Sequence, residues 1–240
     1  MLSFVIPCFN EQANIEKVIA EIDAATADAG IHTYDIVVVD DCSTDGTREV
    51  VRSICAQRSD VALVCNSVNL GFGGAYKAGV EHANGAYAMM IPGDNSHPKA
   101  GITPILRRAG EADIIIPYAS NPEARELSRV LISRSFTWLV NTLFGLNVPY
   151  FNGTVIHKTD LLRTITIKTN SFAYQAEALV RLIHRGASYE TVPVQIAERI
   201  EGHSSALHFK NIVQVAQCLA VLLVDVYLKR PNVSPKNQSI

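Results

Sequence analysis

The amino-acid sequence predicts an α/β fold, a mostly parallel sheet flanked by helices. Short β-branched runs alternate with amphipathic stretches through residue 118, the signature of βαβ units. The chain's 240 residues, 48% of them hydrophobic, suffice for the core of one large domain. Its 14 glycines and 10 prolines are scattered, which excludes collagenous and disordered classes.

Strands are expected at residues 2–7, 34–40, 61–65, 87–91 and 113–117, and helices between them at 11–29, 45–57, 72–82 and 99–109. The first helix carries Ile15, Val18, Ile19 and Ile22 on one stripe. Asn10 before it and Gly30 after it have the chemistry of an N-cap and a C-cap. Beyond 118 the alternation stops. A polar stretch at 120–128 leads into an apolar-rich helix at 130–146 that contains Arg134, Trp138 and Asn141. A strand at 151–157, a helix at 172–185, a strand at 188–194 and a last helix at 207–229 follow. No repeat or internal linker interrupts the chain, so one domain is expected over 1–230 with a frayed tail at 231–240.

Twenty-one basic against 23 acidic residues leave a net charge of -2, so nothing drives the chain as a whole toward nucleic acid. Five cysteines without a Cys-x-x-Cys pair suggest neither a disulfide framework nor a zinc knuckle. Cys8 and Cys65 lie in strand-like runs, as small core hydrophobes do. A reducing cytosol suits this usage, and the N-terminus lacks the basic start and cleavage site of a signal peptide. A cytoplasmic protein is expected.

In open α/β sheets ligands bind beyond the carboxyl ends of the strands, and here those positions are chemically loaded. After the second strand, Asp40, Asp41 and Asp45 stand among hydroxyls and Gly46. Asp41 or Ser43 could cap the next helix. Capping does not account for Asp40 beside Asp41: adjacent carboxylates repel unless a cation, amides or ligand hydroxyls meet them. Three glycines in Asn69–Gly74 suit close backbone approach to a phosphate or sugar. The first strand is not followed by G-x-G-x-x-G, and G-x-x-x-x-G-K-[ST] does not occur, which argues against dinucleotide-dependent oxidoreduction and P-loop phosphoryl transfer.

The series PCFNE, VVVDDCSTDGT, NLGFGGAYKAG and PGDNSHP, in this order over the first 98 residues, resembles the donor half of the glycosyltransferase family 2 enzymes of GT-A fold. Among these the chain is most similar to the dolichyl- and polyprenyl-phosphate sugar synthases. The resemblance continues more loosely through Ser133-Arg134, the segment from Phe172 to Gly186, and Glu198 to Ser204. It implies a Rossmann-like sheet, a nucleotide-sugar half at 1–118 and an acceptor half at 119–230. It further implies inverting transfer of a sugar from a GDP- or UDP-sugar, with Mg2+ or Mn2+ at the diphosphate. Pro7, Phe9 and Glu11 would line the nucleoside pocket, Asp40 would contact the base, Asp41 would help shape the pocket with Gly71, and Asp94 would face the metal. Two departures stand out. Pro92 occupies the position of the first Asp of the family's D-x-D and cannot ligate, and Ser96 replaces a metal-assisting Gln. A single carboxylate can still serve a cation that keeps several waters and the donor's own oxygens. His97 is a further candidate ligand, or simply a turn residue before Pro98.

A lipid-phosphate acceptor is already anionic and needs only cationic groups to position it. The resemblance assigns that task to Arg134 and Arg199, with Arg125 and Arg129 as additions, while Ser205 stands where many relatives carry Lys. A saccharide hydroxyl would instead require a base, for which Glu177 is the candidate, and a nucleotide-sugar-binding pseudoenzyme is the reading that Pro92 motivates. Residues 212–228 form a 17-residue apolar-rich stretch broken by Gln214, Gln217 and Asp225. As a helix it reaches about 25 Å, short of a bilayer core of about 30 Å. It is expected to pack into the core or to lie on the bilayer surface beside Phe136, Trp138, Leu139, Leu143 and Phe144.

Overall fold

The computed structural model describes residues 1–122, 126–195 and 209–228. Its strands are β1 (Leu2–Cys8), β2 (Tyr34–Asp40), β3 (Val61–Cys65), β4 (Tyr87–Met90), β5 (Ile114–Ala119), β6 (Ile156–Lys158) and β7 (Tyr189–Val194). The helices are α1 (Ile15–Ala29), α2 (Thr47–Gln57), α3 (Phe72–His82), α4 (Lys99–Leu106), α5 (Leu127–Phe144), α6 (Thr159–Arg163), α7 (Tyr174–His184) and α8 (Phe209–Leu223). A π-helical turn at Val224–Leu228 extends α8.

One seven-stranded sheet runs in the order β3-β2-β1-β4-β6-β5-β7. β6 is antiparallel to both its neighbours and the other pairs are parallel. Strands covered on both faces read as continuous apolar runs, and successive side chains divide between two cores. Val5, Val37, Val39 and Met90 face α3, α5, α7 and α8. Phe4, Ile6, Ile36, Val38 and Met89 face α1, α2 and α4. The expected stripe of α1, Ile15, Val18, Ile19 and Ile22, is buried in this second core.

The five strands expected through residue 118 all form, and Gly30 ends α1 at φ 71°. Three expectations are corrected, and one short helix was not expected. Asn10 does not cap α1, which starts after Asn14; Asn10 sits in the preceding loop at φ 60°. Cys65 is exposed because β3 is an edge strand. The strand expected at 151–157 shrinks to β6: Phe151 is fully buried, yet it packs against Phe136 from a loop. Burial and strand leave the same apolar signature in sequence, so the two were not separable there. The five residues of α6 are too few to show a helical period. Among the described residues no helix is long and apolar enough to cross a membrane.

Away from the carboxyl edge, Asp35 ties the start of the sheet to the turn before β4. It accepts from the Ser3 hydroxyl and from the Asn84 amide and side chain at 3.2 and 2.9 Å, and Ser3 Oγ accepts from Gly85 N at 2.7 Å.

Two tests follow from the packing. A Cβ on Gly79 would lie 2.3 Å from Val5 Cγ1 and 2.8 Å from Val39 Cγ2, so α3 must lift off β1 and β2 to admit one. Gly79→Ala is expected to destabilise the fold by about 1–3 kcal/mol in urea denaturation. His157 on β6 is fully buried, with Nε2 3.1 Å from Gln175 Nε2 and Nδ1 without a hydrogen-bond partner among the described residues. Burial pushes its pKa down from 6.5 to about 3. The neutral ring's contribution is complete above about pH 6.5 and is lost as pH falls toward about 3, because the unfolded chain takes up the proton first. His157→Gln should therefore flatten the fall in stability between about pH 6.5 and pH 4, by up to about 1.4 kcal/mol per pH unit.

Candidate functional site

From β1 the chain fills one side of the sheet with β2 and β3, then crosses to place β4 on the other side of β1. The crevice beyond β1 and β4 is thus a topological switch point, where open sheets bind ligands. Gly93 N donates to Pro7 O at 3.1 Å, and a Cβ on Gly93 would come within 2.9 Å of Cys8 Cβ. That contact brings the loop carrying Asp94 against the one carrying Phe9 and Glu11. Phe9 and Asp94 are exposed, whereas Pro7 is buried. Burial raises the Glu11 carboxyl, its bond from Asn14 opposes this, and the charges of Asp94 and Asp45 raise it further.

The loop after β1 is zipped to the loop after β2. Asn10 N donates to Ser43 Oγ at 2.9 Å, Thr44 N to Asn10 Oδ1 at 2.8 Å, and Glu11 N to Thr47 Oγ1 at 2.8 Å. Gln12 N donates to Asp45 Oδ2 at 3.2 Å, and Gly46 N to Gln12 Oε1 at 2.9 Å. Asp45 also accepts from the hydroxyl and amide of Thr47. Desolvation opposes its charge, but the Thr47 and Gln12 donors prevail and hold its carboxyl below the usual range. Asp45 therefore serves the start of α2, the task expected of Asp41 or Ser43.

Asp40 and Asp41 are buried and point to opposite sides of the strand end. Asp40 Oδ2 accepts from Arg48 Nε at 3.0 Å and Nη2 at 2.6 Å, and its Oδ1 from Ser43 N at 3.2 Å. Asp41 Oδ1 accepts from Asn66 Nδ2 at 2.7 Å and Leu70 N at 2.9 Å, and its Oδ2 from Gly71 N at 2.9 Å. Adjacent carboxylates suggested a ligand that neutralises them; the protein supplies both partners itself. Arg48, which the sequence did not single out, lies eight residues from Asp40, beyond any helical or strand spacing that would pair them.

The glycines after β3 make their close approach to protein. Gly73 N donates to Asn170 O at 2.9 Å, and a Cβ on Gly73 would come within 2.9 Å of Ser171 O and Tyr174 Cβ. Gly71 needs its φ of 76°, a conformation few other residues adopt. The 167–171 loop that meets them is clamped from both sides. Lys77 Nζ donates to Ile167 O at 3.0 Å, Thr169 O at 3.3 Å and Asn170 Oδ1 at 2.6 Å. Glu177 accepts from Lys168 N at 3.0 Å and Thr169 N at 2.9 Å. It is 1% exposed and also pairs with Arg181 at 2.6 Å. Arg181 and Lys168 reach Asp225 at 2.7 and 2.5 Å, holding the Asp225 carboxyl down at about 2. Glu177 is thus a buried structural anion with its oxygens taken up, not a surface carboxylate. This loop and α8 enclose a cleft of about 220 Å³ lined by Glu177, Gln214, Gln217 and Cys218.

For a divalent cation the loop after β4 offers hard oxygens. Ser96 N donates to Asp94 Oδ1 at 3.1 Å, and Ser96 Oγ lies 2.9 Å from His97 Nδ1. Asn95, at φ 56°, has a buried Oδ1 with no hydrogen-bond partner among the described residues. Among the described residues no three His, Cys, Asp or Glu gather as a metal cage. The donor set fits Mg2+ or Mn2+ only where substrate oxygens and waters complete the sphere. Arg134 and Arg129 lie on α5, with Arg134 exposed. Arg199, Arg125 and Ser205 fall outside the described residues.

Residues 3–163 match the family model for Glycosyl transferase family 2. An undecaprenyl-phosphate mannosyltransferase of Micrococcus luteus is 26% identical over 211 residues, covering 83% of this chain and 85% of the relative. In fold, the chain is similar to glucosyl-3-phosphoglycerate synthase from Mycobacterium tuberculosis in complex with UDP, at a TM-score of 0.68 and 16% identity over 97% of this chain and 82% of that one. A mannosyltransferase from Pyrobaculum calidifontis, in complex with GDP-Man and Mn2+, aligns at 0.65 and 20% identity over 98% of this chain and 66% of that one. These likenesses show the GT-A fold.

The geometry of Asp41 makes one removal informative. Asp41→Ala strands the donors of Asn66, Leu70 and Gly71 and should cost about 3 kcal/mol. Amide exchange at Leu70 and Gly71 should accelerate in parallel; unchanged protection there would show that another group holds the loop.

Proposed function

This chain belongs to glycosyl transferase family 2, and we propose that it moves one sugar from a GDP- or UDP-sugar to a polyprenyl or dolichyl phosphate, with inversion, at the cytosolic face of a membrane. The observation that carries the proposal is the switch-point crevice, where the Gly93–Pro7 backbone bond sets the loop carrying Asp94 against the one carrying Phe9 and Glu11. The Micrococcus relative, named for an undecaprenyl-phosphate acceptor, supports the acceptor class. The neighbours that hold UDP, or GDP-Man with Mn2+, support the donor class and the metal.

The acceptor phosphate oxygen attacks the anomeric carbon, a new C–O bond forms, and the bond to the nucleoside diphosphate breaks with its electron pair leaving on the diphosphate. A bound Mg2+ or Mn2+ supplies the positive charge that this leaving group requires. Asp94 and Ser96 are the residues to hold it, with Asn95 Oδ1 beside them. The zipped loops after β1 and β2 hold the nucleoside, and Asp41 shapes its wall by fixing the Gly71 turn. Arg134 and Arg199 orient the anionic acceptor, for which no base is needed. Hydroxyl activation by Glu177 gains no support from its position, because amides and Arg181 occupy its oxygens.

Membrane contact rests on two exposed apolar faces. α5 presents Leu127, Leu131, Ile132, Trp138 and Leu139 alongside Arg134, and α8 with its π turn presents Val213, Val221, Val224, Tyr227 and Leu228. Apolar side chains with Trp and flanking Arg are suited to the headgroup boundary.

The test is a panel of GDP- and UDP-sugars with Mg2+ or Mn2+ against undecaprenyl and dolichyl phosphate, with products read by mass spectrometry. A glycosylated lipid phosphate is expected, and Asp94→Ala should reduce its formation by about a hundredfold or more. Hydrolysis alone would overturn the acceptor assignment, and undiminished turnover of Asp94→Ala would remove the metal role from that residue.

A further inference from the structure

We infer that Arg48 selects the nucleobase of the donor, favouring bases that present a carbonyl oxygen, uracil or guanine, over those that present an amino group in its place, cytosine or adenine. The inference rests on the donor site proposed above and names a different residue for its specificity. Asp40 has no surface to offer a base: it is 0% exposed, its Oδ2 is taken by Arg48 and its Oδ1 by Ser43 N. The partner that covers it does have surface. The Arg48 side chain is 32% exposed, and among the described residues only its Nε and Nη2 make hydrogen bonds. Nη1 is left to donate outward.

Location supports the same conclusion. Arg48 stands in the first turn of α2, reaches back to the tip of β2, and lies within electrostatic reach of Cys65 at the tip of β3. It therefore borders the zipped loops at residues 10–12 and 43–47, with Ser43 shared between Asp40 and Asn10. A buried carboxylate that grips a guanidinium by two nitrogens fixes its plane, so the free edge is presented in one direction at little cost in side-chain entropy. A guanidinium edge carries only donors. It pairs with O4 of uracil or O6 and N7 of guanine, and meets the exocyclic amino group of cytosine or adenine as donor against donor. Carboxylate recognition by Asp40 would discriminate through a base N–H and would not need Arg48 at all.

The experiment is titration calorimetry of the full chain with UDP, CDP, GDP and ADP in Mg2+, for the wild type, Arg48→Lys and Arg48→Met, with thermal denaturation of each. Lysine keeps a charge for Asp40 but has no second edge to present. Wild type is expected to prefer UDP over CDP, or GDP over ADP, by about tenfold or more. Arg48→Lys should keep a melting temperature near wild type while that ratio falls toward one, and Arg48→Met should lose both. A ratio that survives in Arg48→Lys overturns the inference, since Arg48 would then only neutralise Asp40; a wild type without preference also overturns it. Binding of none of the four diphosphates would overturn the donor-site reading itself, an outcome distinct from either.

Discussion

The donor edge depends on how one strand end disposes of two successive negative charges. A β-strand turns neighbouring side chains to opposite faces, so Asp40 and Asp41 never compete for one environment. Asp40 turns toward α2 and meets Arg48; Asp41 turns toward the loop before α3 and meets an array of N–H donors. Both are buried, and a buried carboxylate without partners is far costlier than one with them. Each therefore fixes the segment that supplies its partners. Through Asp40 the start of α2 is fastened to the tip of β2, and through Asp41 the Gly71 turn is fastened to the same tip. The crevice acquires two walls from one pair of adjacent residues.

The repeating elements of the first 118 residues were legible because their signals are local. Apolar runs bounded by Gly, Asn and Asp mark β1 to β5, and stripes at helical spacing mark α1 to α4. The candidate site is argued from position, since loaded loops follow the strands and open sheets bind ligands beyond those ends. The use of each residue was not legible in the sequence. Lys77 and Asn170, like Arg48 and Asp40, are joined by folding and not by any sequence period. Asn10 and Asp45 depart from the expected capping pattern for the same reason: the loop after β1 reaches the loop after β2, so Asn10 bonds to Thr44 instead of capping α1, while Asp45 takes the place expected of Asp41 or Ser43 at α2. Short polar side chains have similar local chemistry, and only the crossing of the two loops decides which backbone each one meets.

The chain after residue 118 was harder to read because its signals conflict. α8 is apolar enough to resemble a buried or membrane helix, yet Gln214, Gln217 and Asp225 interrupt it. The interruptions face inward or along the cleft, where Asp225 meets Lys168 and Arg181. Much of the outward face is apolar, with Val213, Val221, Val224, Tyr227 and Leu228 exposed. Leu219 and Leu222 enter the core on the inward side, so the helix is apolar on two faces, unlike a surface helix whose outer side is polar. The same holds for α5, which exposes Leu127, Leu131 and Trp138 while Val140 and Phe144 enter the core.

The ion network beneath α8 then joins the two halves of the chain. Asp225 binds Arg181 and Lys168; Arg181 binds Glu177; Glu177 and Lys77 grip the backbone of the 167–171 loop from its amides and its carbonyls. That loop is the surface against which Gly73 closes, and Gly73 follows directly from the turn that Asp41 holds. The end of α8 is thus linked to the Gly71 turn through a chain of ion pairs and hydrogen bonds that runs from the half-exposed Lys168 to the buried Glu177 and Asp41. Asp225 keeps a second cation when either of its pairs opens, whereas loss of Arg181 would take the guanidinium from buried Glu177 and from Asp225 together. Glu177, reaching from α7, is the carboxylate that ties this loop to the ion network at the end of α8.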